Sequence, residues 1–158
     1  MHRWLLLVLL AACGGGGSTS YESDARAALN GGDMAKAIRV AEEGLAQDAV
    51  KKDPAAAWRL EQIRLDALAT SGKGVDVKKE LDRLATAYPK QVNASLYRSL
   101  AAKATTVNDV PGAIEILTAG DQRFPAEHAA FVEAIGELKE GAAMDPETVK
   151  RLKALGYL

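Results

Sequence analysis

The chain is poor in the residues from which most covalent and metal chemistry is built. It has one cysteine, Cys13, and two histidines, His2 and His128, in 158 residues. One cysteine excludes an internal disulfide and a zinc site made of several thiolates. A nucleophile also needs a base beside it, and one histidine outside the first few residues leaves little to form a triad. We therefore expect no metal, no cofactor and no enzymatic activity.

Long apolar runs are missing as well. The unbroken apolar stretch that begins at residue 4 stops before the four glycines of residues 14–17, far short of the ~20 residues that span a bilayer. A buried core helix is no better an explanation, because four glycines followed by Ser-Thr-Ser form a flexible, solvated coil.

Neither sign of charge dominates. The chain has 20 lysines and arginines against 21 aspartates and glutamates. Such a balance produces no broad positive field, so nucleic acid is not an expected partner.

The first residues form a pattern of their own. His2 and Arg3 precede the apolar run, which ends in Leu-Ala-Ala-Cys at Cys13. This pattern resembles a bacterial lipoprotein signal peptide, in which LAAC is the lipobox. The resemblance implies that residues 1–12 are cleaved, and that Cys13 carries a diacylglyceryl group on sulfur and an acylated amine. Residues 13–20 would then be a lipidated cysteine with a flexible Gly/Ser linker, and loss of Arg3 would change the formal charge from −1 to −2.

The resemblance also predicts a location. Two or more acyl chains anchor a protein stably to a membrane without further contact. Gly14, in place of an aspartate after Cys13, resembles the sorting pattern of outer-membrane lipoproteins. We expect a cell-envelope protein, on the periplasmic face of the outer membrane if the host is Gram-negative.

From Tyr21 onward, apolar residues recur at three- and four-residue spacing without the alternation of a strand, which predicts an all-α domain. Asp33, Asp53, Asn93, Asp109 and Asp145 are placed as helix N-caps. Together these features predict helices near residues 20–30, 33–47, 54–71, 75–87, 93–106, 110–123, 126–140 and 146–155.

The helices carry an internal repeat. Residues 32–38 recur in altered form at 108–114, and Gly72 opens a degenerate copy between them, at intervals of 40 and 36 residues. The chain resembles a tetratricopeptide repeat protein, whose unit is a helix pair of about 34 residues. The third copy matches best and the second has lost the small residues of the signature. The resemblance implies about three degenerate repeats over residues 21–125, capping helices over 126–158 and one domain over 21–158.

Within this register, one set of side chains would face the concave side of a short solenoid, where such proteins commonly bind ligands. The set is Glu22, Arg26, Arg59, Gln62, Asp66 and Arg98. Its arginines would suit a peptide carboxylate or an acidic segment through paired hydrogen bonds. An ordinary solvated helix face remains the alternative, and Glu133 and Glu137 of the capping region are likewise expected to face solvent.

These features favour a lipid-anchored, non-enzymatic module that mediates protein–protein interactions as a scaffold or adaptor. A structural subunit of an envelope complex that uses its convex surface is the alternative. A small hydrolase is a further one, since Glu42 with Glu43, or Asp76 with Glu80, could form a carboxylate site. His128 is expected at a helix start and Trp58 in core packing.

The anchor is directly testable. Replacing Cys13 by serine (Cys13→Ser) should abolish incorporation of radiolabelled palmitate and leave an uncleaved or soluble form, because the thioether needs the thiol. Equal labelling of the parent and the variant would contradict the lipobox interpretation.

Overall fold

A computed structural model describes residues 18–141 and 144–158. Cys13, the expected signal peptide and most of the linker lie outside the described residues. Within those two ranges, all regular structure is helical. The helices are α1 Ser18–Asn30, α2 Met34–Leu45, α3 Asp48–Lys51, α4 Pro54–Thr70, α5 Gly74–Ala87, α6 Ala94–Thr106, α7 Val110–Arg123, α8 His128–Gly141 and α9 Pro146–Ala154, with a 3-10 turn at Pro125–Glu127.

The all-α prediction is confirmed, and each helix expected from the sequence is present. Two elements were not expected, the short α3 and the 3-10 turn. Helix α1 also begins at Ser18, so the last residues of the expected linker are helical; serine and threonine are well tolerated at a helix start. Among the described residues, no helix has both the length and the apolar character needed to cross a bilayer.

The expected caps position these helices. Each of the five side chains accepts a hydrogen bond from a backbone N–H two or three residues further on, as Asp33 does from Lys36 and Asn93 does from Leu96, both at 3.0 Å. Because such a bond is local, it fixes a helix start without help from the rest of the fold.

The helices pack in a regular order. Helix α1 contacts α2, α6 contacts α7, and α4 contacts α5, while α2 also packs on α4 and α5 on α7. The helices α1, α4, α6 and α8 contact one another in succession, and we call them the first row. The α6–α8 contact is the smallest in this row.

Two glycines allow the helices to approach closely. A Cβ on Gly44 would lie 2.8 Å from the Cβ of Tyr21 and 2.8 Å from Leu60. A Cβ on Gly120 would lie 3.0 Å from the Cβ of Tyr97 and 2.5 Å from Phe131. Tyr97 lies 76 positions after Tyr21, and Gly120 lies 76 positions after Gly44. The start of α6 lies the same 76 positions after the start of α1. The pairs α1/α2 and α6/α7 are therefore equivalent units.

The central pair α4/α5 is built differently. Glu61, 40 positions after Tyr21, is only 5% exposed. It accepts from Arg83 at 2.6 Å and from Arg64 at 3.4 Å, and Arg64 also binds Glu80 at 2.9 Å and Glu42 at 3.0 Å. A network of ion pairs thus links α2, α4 and α5 at the place where the other units pack an aromatic ring on glycine.

Asp109 joins two helix starts. One carboxylate oxygen accepts from the N–H of Gly112 at 3.0 Å, which caps α7, and the other accepts from the N–H of Gly74 at 2.8 Å, at the start of α5. A Cβ on Gly74 would lie 2.4 Å from the Cα of Gly112. The backbones of α5 and α7 are therefore in contact at these glycines, and the Asp109 side chain accepts a hydrogen bond from each of the two helix starts.

Asp109→Ala should destabilise the protein more than Asp33→Ala, which removes the cap of α2 alone. Loss of one cap costs ~1 kcal/mol. Asp109→Ala also leaves the Gly74 N–H, in a partly buried site, without its acceptor, so we expect ~2–4 kcal/mol in total. Urea unfolding of both variants measures the difference. Equal losses would show that the bond to Gly74 contributes nothing.

Stability should also depend on Glu80 in acid. The hydrogen bond from Arg64 lowers the pKa of Glu80 from 4.5 to about 2, with Arg83 adding to the effect. A pKa lowered by folding gives stability that is complete above about pH 4.5 and is lost as the pH falls towards about 2. Glu80→Gln should therefore lower the free energy of unfolding at pH 7, and its difference from the parent should shrink between these two pH values.

Unfolding measured from pH 7 down to pH 2.5 gives this comparison. The matched control is Glu140→Gln, on an exposed residue of α8 that forms no ion pair among the described residues. A difference between Glu80→Gln and the parent that stays constant over the whole pH range would contradict the assignment.

Candidate functional site

The residues expected on the concave face all lie on the first row. Glu22 and Arg26 are on α1, Arg59, Gln62 and Asp66 on α4, and Arg98 on α6. The row has three gaps between neighbouring helices. Ion pairs bridge two of them, and the third is open.

The gap between α1 and α4 is bridged by charge. Arg59 Nε donates to Glu22 at 2.6 Å, and Arg26 lies 3.4 Å from the same carboxylate. The hydrogen bond from Arg59 lowers the pKa of Glu22. Two of the three arginines expected to bind a ligand are thus engaged with one glutamate of the chain itself, while Gln62 is exposed.

The gap between α4 and α6 is bridged in the same way. Lys103 Nζ lies 2.5 Å from Asp66. Lys103 was not expected to take part, because its partner lies on another helix pair and no local spacing indicates the contact. This second bridge connects helices of adjacent units.

The gap between α6 and α8 is open. A groove of about 660 Å³ lies there, over Leu117 of α7. Its α6 wall carries Ser95, Arg98, Ser99, Ala102 and Thr105, and its α8 wall carries Ala130, Glu133, Ala134 and Glu137. Leu138 completes the apolar part of the lining. Small side chains on both walls leave this space unfilled.

Arg98 is the only expected concave residue that lines this groove. Its side chain is partly buried, and its Nε is buried without a hydrogen-bond partner among the described residues. A buried donor that lacks an acceptor costs free energy, which most proteins avoid. Arg98 therefore contributes a guanidinium, without an internal ion-pair partner among the described residues, to the wall of a groove of suitable size for a ligand.

Two carboxylates face this cation from the other wall. Glu133 and Glu137 are exposed, as the sequence predicts, and they also line the groove, which the sequence does not indicate. Neither glutamate nor Arg98 forms an ion pair within 4.0 Å in residues 18–141 and 144–158. With one cation and two anions, the groove has a formal charge of −1. These groups suit binding by charge and hydrogen bonds.

A second cluster fastens the C-terminal segment. Asp121 is 9% exposed and accepts from His128 Nδ1 at 2.8 Å and from the hydroxyl of Tyr157. Burial, together with the Asp121 carboxylate, raises the pKa of Tyr157. Arg151 of α9 binds Glu115 of α7 nearby. His128 begins α8, as expected, but its bonding to Asp121 was not foreseen. The hydrogen bonds of His128 among the described residues involve only Asp121, whose carboxylate it shares with the Tyr157 hydroxyl.

The carboxylate pairs considered for hydrolysis are mostly engaged in ion pairs. Glu42 and Glu80 bind Arg64, and Glu43 binds Arg39 at 2.9 Å. Trp58 lies partly buried against the core, with its ring 5.2 Å from that of Tyr88. Within the part of the chain that the structure describes, no group of three or more histidine, cysteine or acidic side chains is placed to hold a metal ion.

Comparison with known proteins adds no family. No protein-family model, no curated protein and no solved structure matches the chain.

Proposed function

We propose that the protein is a lipid-anchored helical-repeat module of the cell envelope that binds a peptide segment of a partner protein in the α6–α8 groove. Its anchor would be Cys13, with the following glycines as a tether, and its place the periplasmic face of an outer membrane. The module would act as a scaffold or adaptor, without a cofactor, a metal or nucleic acid.

The packing order supports a short tetratricopeptide-like solenoid. Each helix of the first row contacts the next one. The helices α2, α5 and α7 each pack on the first-row helix that precedes them in the chain, as the second helices of stacked pairs do. The equivalence of α1/α2 with α6/α7 at a constant offset of 76 residues adds to this argument. In this arrangement α4/α5 would be the second repeat, and α8 with α9 would cap the end.

One observation carries the binding proposal. Two of the three gaps in the first row are closed by ion pairs, Glu22 with Arg59 and Asp66 with Lys103, whereas the third holds a groove and the unpaired Arg98. The contrast between charged groups paired across two gaps and unpaired across the open one supports the proposal that a ligand binds in the last gap.

Site-specific photocrosslinking in cells tests this proposal. A photoreactive amino acid in place of Ala102, which lines the groove, should crosslink a defined protein partner in the full-length chain. The same amino acid in place of Ala35, exposed on α2, is the matched control and should not. Adding Arg98→Glu should abolish the Ala102 crosslink. Crosslinking that is equal at both positions, or unaffected by Arg98→Glu, would contradict binding in this groove.

A further inference from the structure

We infer that the occupant of the α6–α8 groove is an extended peptide segment that carries one carboxylate with a lysine or arginine close to it in sequence. This inference rests on the proposed function and specifies the ligand class of the same groove. It follows from three features: the unpaired guanidinium, the carboxylates opposite, and the dimensions and polarity of the walls.

The carboxylate is indicated by Arg98. Its Nε is buried and has no acceptor among the described residues. A guanidinium presents its N–H groups in a planar fork that matches the two oxygens of a carboxylate. A ligand carboxylate in the groove would pair with the terminal N–H groups of Arg98 and neutralise its charge, because the buried Nε itself is out of reach.

The basic group is indicated by the opposite wall. Glu133 and Glu137 stand one helical turn apart on α8, about 6 Å along the axis. They make the groove negative overall, so a ligand with several negative charges would be repelled. A lysine or arginine near the ligand's carboxylate would pair with these glutamates while the carboxylate pairs with Arg98.

The extended form is indicated by the walls. The α6 wall runs from Ser95 to Thr105, about 15 Å at the rise of an α-helix. Four or five extended residues, at about 3.3 Å each, span that length. Ala102 and the alanines of α8 leave room for a backbone, and the hydroxyls of Ser95, Ser99 and Thr105 offer it hydrogen bonds.

Fluorescence anisotropy with labelled peptides tests the inference on the full-length chain in detergent micelles. The probe is an eight-residue, alanine-based peptide with one glutamate between two lysines. One comparison peptide has glutamine in place of the glutamate, and a second has glutamine in place of both lysines. We expect the probe to bind, and each comparison peptide to bind at least about tenfold more weakly.

Variants of the protein assign each charge. Arg98→Gln should weaken the probe about tenfold and leave the peptide without glutamate unchanged, since only the contact between the guanidinium and the carboxylate is removed. Glu133→Gln combined with Glu137→Gln should weaken binding of the probe and leave binding of the peptide without lysines unchanged. Arg98→Lys keeps the charge but loses the fork, and it should bind the probe more weakly than the parent does. Lys79→Gln and Glu140→Gln, on exposed residues outside the groove, are the matched controls.

Circular dichroism of each variant confirms that the helices are intact before its binding is interpreted. Failure of the probe to bind at millimolar concentration would overturn the inference, as would tighter binding of a peptide with two glutamates and no lysine. Binding of the probe that is insensitive to Arg98→Gln would overturn it as well. In each of these cases the crosslink at Ala102 and its dependence on Arg98 still decide the proposed function separately.

Discussion

The fold depends on helices that approach one another where a glycine replaces a side chain. Gly44 and Gly120 each pack against a tyrosine of the preceding helix and an apolar residue of the next helix in the first row. A Cβ on either glycine would clash with these side chains. At the starts of α5 and α7 the contact is closer still, because Gly74 and Gly112 touch backbone to backbone. Close packing of this kind recovers dispersion energy over the whole helix face, and the loss of one glycine would separate two helices rather than perturb one side chain.

The central unit shows a second solution to the same packing problem. Where α1 and α6 each place a tyrosine, α4 places Glu61, and two arginines surround it. Burying a carboxylate is costly unless its hydrogen bonds are satisfied, so Glu61 requires Arg64 and Arg83 together. Arg64 then reaches Glu42 of α2 and Glu80 of α5, which links three helices through one side chain.

The groove results from the way the first row ends. Ion pairs hold α1 to α4 and α4 to α6, but no such pair holds α6 to α8 among the described residues. Helix α8 is instead anchored from behind, by Phe131 on Gly120 and by His128 on the buried Asp121. It can therefore stand apart from α6 without loss of the core. Because α8 is held on its far side and the facing side chains are mostly small, a groove remains, with Arg98 on one wall and the two glutamates on the other.

The sequence by itself determined the helical class, the helix bounds to within a few residues and the five caps, because those features depend on contacts within a few positions along the chain. Asp109 shows the limit: its bond to Gly112 is three positions away, but its bond to Gly74 spans 35. The pairing of Glu22 with Arg59 spans 37 positions. Glu133 and Glu137 are exposed, as expected, but no local spacing indicates that they line a groove together with α6. Periodicity tells which face of a helix is polar. Only the packing of one helix against another decides whether a polar group on that face meets a partner, water or an empty groove.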